Sequence, residues 1–230
     1  MEKRPDAPSS FALAQQTLRG YLPKKVELTD EDAAKTYIPD RRYAQIKDAI
    51  LDMLQKAGTQ YIPLDPLSIA QALGCGPVPY RSLGRIALPA LMEASPDALT
   101  CWMLGSDSPL ILFNDRRNSG RVAFSIAHEI GHVMLRHYEH SKLAEIEANY
   151  FAANALCPLP MLEATGLSGS GEVAKTFAIS EECAKNRLAA LLKWRELPPS
   201  KRNITFEREV QRMLKFKTPI QLTLFEQKAS

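Results

Sequence analysis

His128-Glu129-Ile130-Gly131-His132, set within Arg121–His137, decides the fold class of this 230-residue chain. Val122, Ile126, Ile130, Val133 and Met134 recur at helical intervals through the segment, and Asn118 or Ser119 can cap its start. A helix turns by about 100° per residue, so side chains four apart stand one above the other. His128 and His132 can therefore grip one ion from a single rigid surface. Glu129 lies beside them, where a carboxylate can take a proton from metal-bound water. The same five-residue pattern also occurs in helices whose two histidines only cap, pack or face solvent, so the flanking sequence has to decide.

The next segment supplies a third ligand. Ser141 can cap a helix that runs through Glu145, Ala148, Asn149 and Ala152 and ends near Pro158. Glu145 and Glu147 compete for the role, and two residues apart they point to nearly opposite helix faces. Glu145 shares its face with Ala148, Asn149 and Ala152, whose modest side chains would let the helix approach Gly131 closely. Glu147 goes with Leu143, Tyr150, Phe151 and Asn154, where bulk would hold a neighbour away. Glu145 is therefore the expected third ligand and Glu129 the base. Asn149, one turn on, can fix a ligating imidazole by a hydrogen bond, although an ordinary polar contact explains it nearly as well. His137 is expected on the far side of its helix, as a surface or helix-end residue.

Working outward, residues 1–40 mix Pro, Lys and Asp and read as an arm with a short helix around Phe11 to Leu18. Tyr43, Ile46, Ile50, Met53 and Leu54 mark a helix that stops before Gly58, and Asp65-Pro66-Leu67 opens another that Gly74 closes. The apolar runs 99–104 and 110–113 flank Gly105-Ser106-Asp107-Ser108-Pro109 as a hairpin. Downstream, Ser170 to Phe177, Ser180 to Trp194 and Thr205 to Phe216 read as helices. The expected organisation is an arm over 1–40, a body over 41–195 with a trailing helical pair, and a C-terminal helix and tail over 196–230. The fold class is α+β, mainly helical, with a small antiparallel sheet before the metal helix.

Composition excludes the exotic classes. With 45% hydrophobic and 24% charged residues the chain reads as an ordinary globular protein. A net charge of +3 is too weak a footprint to imply nucleic-acid binding. No apolar run approaches the roughly 20 residues that span a bilayer. The charged start Met1-Glu2-Lys3-Arg4-Pro5-Asp6 leads into no apolar core, so no signal peptide and a cytoplasmic location are expected. Cys75, Cys101, Cys157 and Cys183 form no CxxC pair, and reduced thiols are expected.

Phe124-Ser125-Ile126-Ala127-His128-Glu129-Ile130-Gly131-His132, followed by residues 145–158 (EIEANYFAANALCP), resembles the ImmA/IrrE metallopeptidases. The resemblance spans roughly Tyr61 to Trp194, including Phe113-Asn114, Phe177-Ala178-Ile179-Ser180 and Asn186-Arg187-Leu188. It implies a zincin-like fold, one zinc ion held by two histidines and a glutamate, a glutamate base, and in many members cleavage of a helix-turn-helix repressor. Cys157 stands where the family often has methionine, a conservative apolar change. On this reading the chain is a zinc metalloendopeptidase in transcription regulation or stress response. A non-catalytic zinc-fold regulator that binds a partner protein or DNA is the alternative. The oxyanion-stabilising side chain is not identifiable from sequence. The hairpin offers a strand edge on which an extended substrate could pair, with a plain core hairpin as the equal alternative.

Two further segments stand apart. Val173 to Ser180, with Ala184, Arg187, Leu188 and Leu191, resembles a helix-turn-helix unit, but Glu181 and Glu182 would repel phosphates. A packed helical pair is favoured, and direct DNA binding is not expected. Gln221-Leu222-Thr223-Leu224-Phe225 looks like the pentapeptide by which bacterial replication proteins dock on the sliding clamp, with Gln221, Leu222, Leu224 and Phe225 as the docking residues. Ile220, Leu222 and Leu224 also alternate as a half-buried terminal strand would.

Overall fold

The structure is a computed structural model that describes residues 22, 26–29, 31–32, 36–102, 108–139, 141–198 and 202–217. The short helix around residues 11–18, the turn 103–107 and the pentapeptide at 221–225 lie outside the described residues.

Helix α1 (Asp40–Ala57) buries Ile46, Ile50, Met53 and Leu54, the predicted stripe, and Gly58 ends it at φ 62°, a conformation glycine adopts without a Cβ penalty. After β1 (Tyr61–Ile62), Asp65 caps α2 (Pro66–Ala72) by accepting from the Leu67 amide at 3.1 Å, with Pro66 at the first position. Strand β2 (Gly76–Pro79) leads through a short 3-10 turn into α3 (Gly84–Ala94), then β3 (Ala98–Cys101) and β4 (Leu110–Phe113).

Strands β3 and β4 pair antiparallel with Leu99 opposite Leu112 and Thr100 opposite Ile111, as the hairpin reading expects. A third strand, β2, adds to β4 in parallel, so the order is β2-β4-β3. Gly76-Pro77-Val78-Pro79 carries two prolines, a composition that suits only a sheet edge and gives no strand signal of its own. Alternation along β3 divides its side chains between two layers. Leu99 and Leu112 pack with Tyr80 and Leu91 beneath α3, whereas Ala98, Ile111 and Phe113 join the main core. Thr100 therefore faces the main core with Ala98.

Helix α4 (Ser119–Met134) starts at Asn118, whose side chain accepts from the Arg121 amide at 2.9 Å. Helix α5 (Lys142–Leu156) starts at Ser141, which accepts from Ala144 at 3.1 Å. The two lie against each other through Ile126, Ile130, Phe151 and Ala152, all buried in the main core. Gly131 meets Phe151 of α5: a Cβ there would lie 3.1 Å from the phenyl ring. The expected approach of the alanine face to Gly131 is thus corrected, because the missing side chain makes room for a ring, not for a small residue.

Helix α6 (Leu159–Thr165) follows, then α7 (Ser170–Phe177) and α8 (Glu181–Glu196), joined through Ala178 at φ 53°. Val173, Phe177, Ala184 and Leu191 are buried together. Arg187 is buried too, donating to the Cys157 carbonyl at 2.9 Å and to Asn154 Oδ1 at 3.2 Å, which ties α8 to the end of α5. Gly120, at the start of α4, sits against the backbone between α7 and α8, with Ser180 N only 2.6 Å from where a Cβ would stand. The helical pair thereby fixes the near end of the metal helix.

Thr205 to Phe216 was expected to be helical throughout, but α9 (Ile204–Met213) stops earlier and Lys215–Phe216 forms β5, parallel to β1. The Lys215 amide donates to the Gln60 carbonyl at 2.8 Å, a long-range partner that no local pattern announces. Phe206, Val210 and Leu214 enter the main core. The architecture is mainly helical α+β and zincin-like, with a small sheet ahead of the metal helix. Among the described residues no helix is long and apolar enough to cross a membrane.

Candidate metal centre

Two buried helices bring together the three residues that sequence spacing singled out. The Nε2 atoms of His128 and His132 lie 3.0 Å apart on α4. From α5, Glu145 places Oε2 3.2 Å from His128 Nε2 and Oε1 3.4 Å from His132 Nε2. An ion with bonds of about 2.0–2.1 Å in tetrahedral geometry holds its donors roughly 3.4 Å apart, close to this spacing. The donor set itself fits a metal. Two neutral imidazole nitrogens cannot face each other at such a distance without a proton or cation between them, and imidazole with carboxylate is a set that suits zinc.

The tautomer of His128 agrees with that role. Its Nδ1 donates to Oδ1 of Asn149 at 2.9 Å, which leaves the Nε2 lone pair directed at the other donors. Asn149 thus touches the imidazole it was expected to orient.

Glu129 is only 3% exposed, and an uncompensated carboxylate at that depth would be costly. Thr100 Oγ1 donates to its Oε2 at 2.9 Å, reaching across from β3. Sequence reading had no role for Thr100. Its signal was present as the one hydroxyl in the apolar run 99–102, on the strand face that turns toward α4.

His137 departs from expectation. The helix was taken to continue to this residue, which would carry the ring to the far side, but α4 ends at Met134 and Arg136 turns the chain at φ 55°. The ring folds back, placing Nδ1 3.1 Å from His132 Nδ1 and Nε2 2.9 Å from Glu147 Oε2. Glu147 is likewise buried, not held apart by bulky neighbours, and Arg42 clamps it with Nε at 2.7 Å and Nη2 at 2.5 Å. Burial holds the His137 pKa below its ordinary value despite the adjacent carboxylate. Burial alone would raise the Glu147 carboxyl, but the hydrogen bonds from Arg42 and His137 outweigh it and hold the carboxyl below its ordinary value. No local pattern could have joined Arg42 to Glu147, 105 positions away.

An open cavity of about 620 Å³ runs along this side of the site, lined by Pro39, Arg42, Arg136, His137, Tyr138 and Glu147 among others. Tyr138 also makes a tilted ring contact with Trp102, which follows β3, with centroids 5.5 Å apart.

Residues 91–189 match the family model described as the IrrE N-terminal-like domain, peptidase M78. The matched segment runs from within α3 to within α8 and contains all three donors and Glu129. No curated protein matches the chain.

Proposed function

Because residues 91–189 belong to the ImmA/IrrE family of M78 metallopeptidases, we propose that this chain is a zinc-dependent endopeptidase making limited, regulatory cleavages in a protein partner. The partner is a helix-turn-helix transcriptional repressor, removed in the cytoplasm in response to stress or a mobile-element signal. One observation carries the reading: a buried carboxylate, Glu129, stands beside three donors spaced 3.0–3.4 Å apart.

His128, His132 and Glu145 would hold one zinc ion. Zinc in such a site acts as a Lewis acid, polarising a carbonyl and lowering the pKa of water to about 7. Glu129 accepts the proton of the attacking water on its carboxylate and passes it to the leaving amine. Thr100 holds that carboxylate by its hydrogen bond to Oε2. Asn149 orients His128 through Nδ1. Strand β3 ends the described sheet order, and an extended substrate segment pairs along it.

The test is to identify the neighbouring gene product and to incubate it, as the proposed repressor, with the purified protein after measurement of its zinc content. Wild type cleaves the repressor at a defined bond, and Glu129→Gln binds zinc but leaves the repressor intact. If derepression or processing survives Glu129→Gln, the chain is instead a non-catalytic regulator that acts by binding.

A further inference from the structure

His137 donates and accepts in a fixed order that can be read from its partners. A carboxylate only accepts, so the contact of 2.9 Å with Glu147 Oε2 requires the proton of a neutral His137 ring to sit on Nε2. Nδ1 of His137 is then an acceptor. The contact of 3.1 Å between the two Nδ1 atoms must be filled by a proton on His132. A neutral His132 that carries its proton on Nδ1 presents a lone pair at Nε2, the atom 3.0 Å from His128 Nε2 and 3.4 Å from Glu145 Oε1.

Arg42 fixes the far end. Its Nε and Nη2 both donate to Glu147, a two-point clamp that orients the plane of the carboxylate. Nη2 also lies 3.5 Å from His137 Nε2, longer than either bond to the carboxylate. If Arg42 donated to that nitrogen instead, the Nε2 lone pair would face Glu147 Oε2 at 2.9 Å, which is repulsive. With a neutral His137, and an ion between the Nε2 atoms of His128 and His132, this direction of the chain satisfies these contacts.

We propose that Arg42, Glu147 and His137 form a positioning relay that holds His132 as the Nδ1–H tautomer and aims its Nε2 at the metal. His128 has a separate and shorter support in Asn149, so α5 orients one histidine ligand directly and the other through His137. Arg42 belongs to the first turns of α1, and the relay therefore extends the functional centre beyond the segment matched by the peptidase family. His137 and Glu147 are positioning residues and take no part in proton transfer to substrate. The inference rests on the metallopeptidase reading, because it assigns a purpose to a ligand of that centre.

Two measurements on the full chain test it. Imidazole nitrogen NMR of the zinc-loaded protein reports which nitrogen of His132 carries the proton and which faces the ion, and competition with a chromogenic chelator reports zinc affinity. Wild type shows His132 protonated on Nδ1 and binds zinc, whereas His137→Phe and Glu147→Gln mix the tautomers and weaken zinc by about 10–100-fold. Arg42→Lys, which keeps the charge but loses the two-point clamp, gives a smaller loss in the same direction. Should His137→Phe fail to fold, Glu147→Gln and Arg42→Lys decide the matter. Unchanged tautomer and affinity in the folded variants overturn the relay and leave the peptidase reading standing. A wild-type chain that takes up no zinc overturns both.

Discussion

Thr100 reaches from the middle of β3 to Glu129 on α4, its hydroxyl donating to Oε2 across 2.9 Å. The two residues are 29 positions apart, and the bond is the tie between the sheet and the proposed base. A hydrogen bond to a charged acceptor contributes about 1.5–3 kcal/mol, and each 1.4 kcal/mol or so is tenfold in rate. Thr100→Val keeps the shape and is expected to lower kcat/KM by about 10–100-fold with zinc content unchanged. Repressor cleavage kinetics on the zinc-loaded variant check this, and an unaltered rate would show that Thr100 only fills space.

Gly120 anchors the start of the metal helix. A Cβ there would stand 2.6 Å from Ser180 N and 2.7 Å from Ile179 C, and neither backbone atom can yield without moving α7 or α8. Overpacking of this kind costs about 1–3 kcal/mol, equivalent to roughly 2–12 °C in a domain of this size. Gly120→Ala should melt at a lower temperature by that amount. Thermal unfolding followed by circular dichroism measures it, and an unshifted Tm would contradict the close approach.

Removal of the metal should destabilise the fold as well as abolish activity. The donors come from two helices, so an ion that binds only the folded chain stabilises it by about 2.7 kcal/mol at 100 times its Kd. Chelated wild type is expected to regain Tm when zinc is added, and Glu145→Ala to show no such gain. Scanning calorimetry with and without zinc separates these outcomes. A zinc response that persists in Glu145→Ala would remove Glu145 from the ligand set.

All four thiols are raised by burial, Cys101 to about 11 and Cys157 to about 12, from an ordinary value of 9.0. At pH 8 nearly all are therefore protonated, and the thiolate is the reactive form. Native protein is expected to resist iodoacetamide at that pH while the unfolded chain is labelled at every cysteine, as mass spectrometry would show.

The same shifts carry a sign for stability. A raised folded pKa means that the unfolded chain loses its proton first, so stability is intact below pH 9 and falls as pH rises toward 12. Burial raises the Tyr150 phenol to about 12 and adds to the loss in the same window. Denaturant midpoints should decline from pH 9 upward. A flat profile over that range would mean that these groups ionise alike in both states.

Gln221-Leu222-Thr223-Leu224-Phe225 makes a separate prediction about partners. Purified bacterial sliding clamp is expected to retain the wild-type chain and to lose it when Gln221, Leu222 and Phe225 become alanine. No retention, or retention indifferent to the substitutions, would assign the segment to a terminal strand instead.

Local spacing determined the parts of this protein that depend on helical periodicity. His128, Glu129 and His132 share one short helix, and Glu145 with Asn149 shares the next, so their relations follow from a turn of about 100° per residue and need no knowledge of the fold. The capping residues Asp65, Asn118, Ser141 and Ser180 were legible for the same reason, since each acts on an amide two or three positions away. Tertiary structure alone decided the rest. Pairing of β2 with β4, the β1–β5 contact, Thr100 against Glu129 and Arg42 against Glu147 join residues far apart in sequence. Gly131 and His137 show the boundary between the two. Both sit within five residues of His132, yet the ring that Gly131 admits and the partner that His137 meets depend on how α5 crosses α4 and on a single left-handed turn at Arg136. Packing chooses among conformations that local sequence leaves equally open, because the contacts that separate them exist only once the chain has closed on itself.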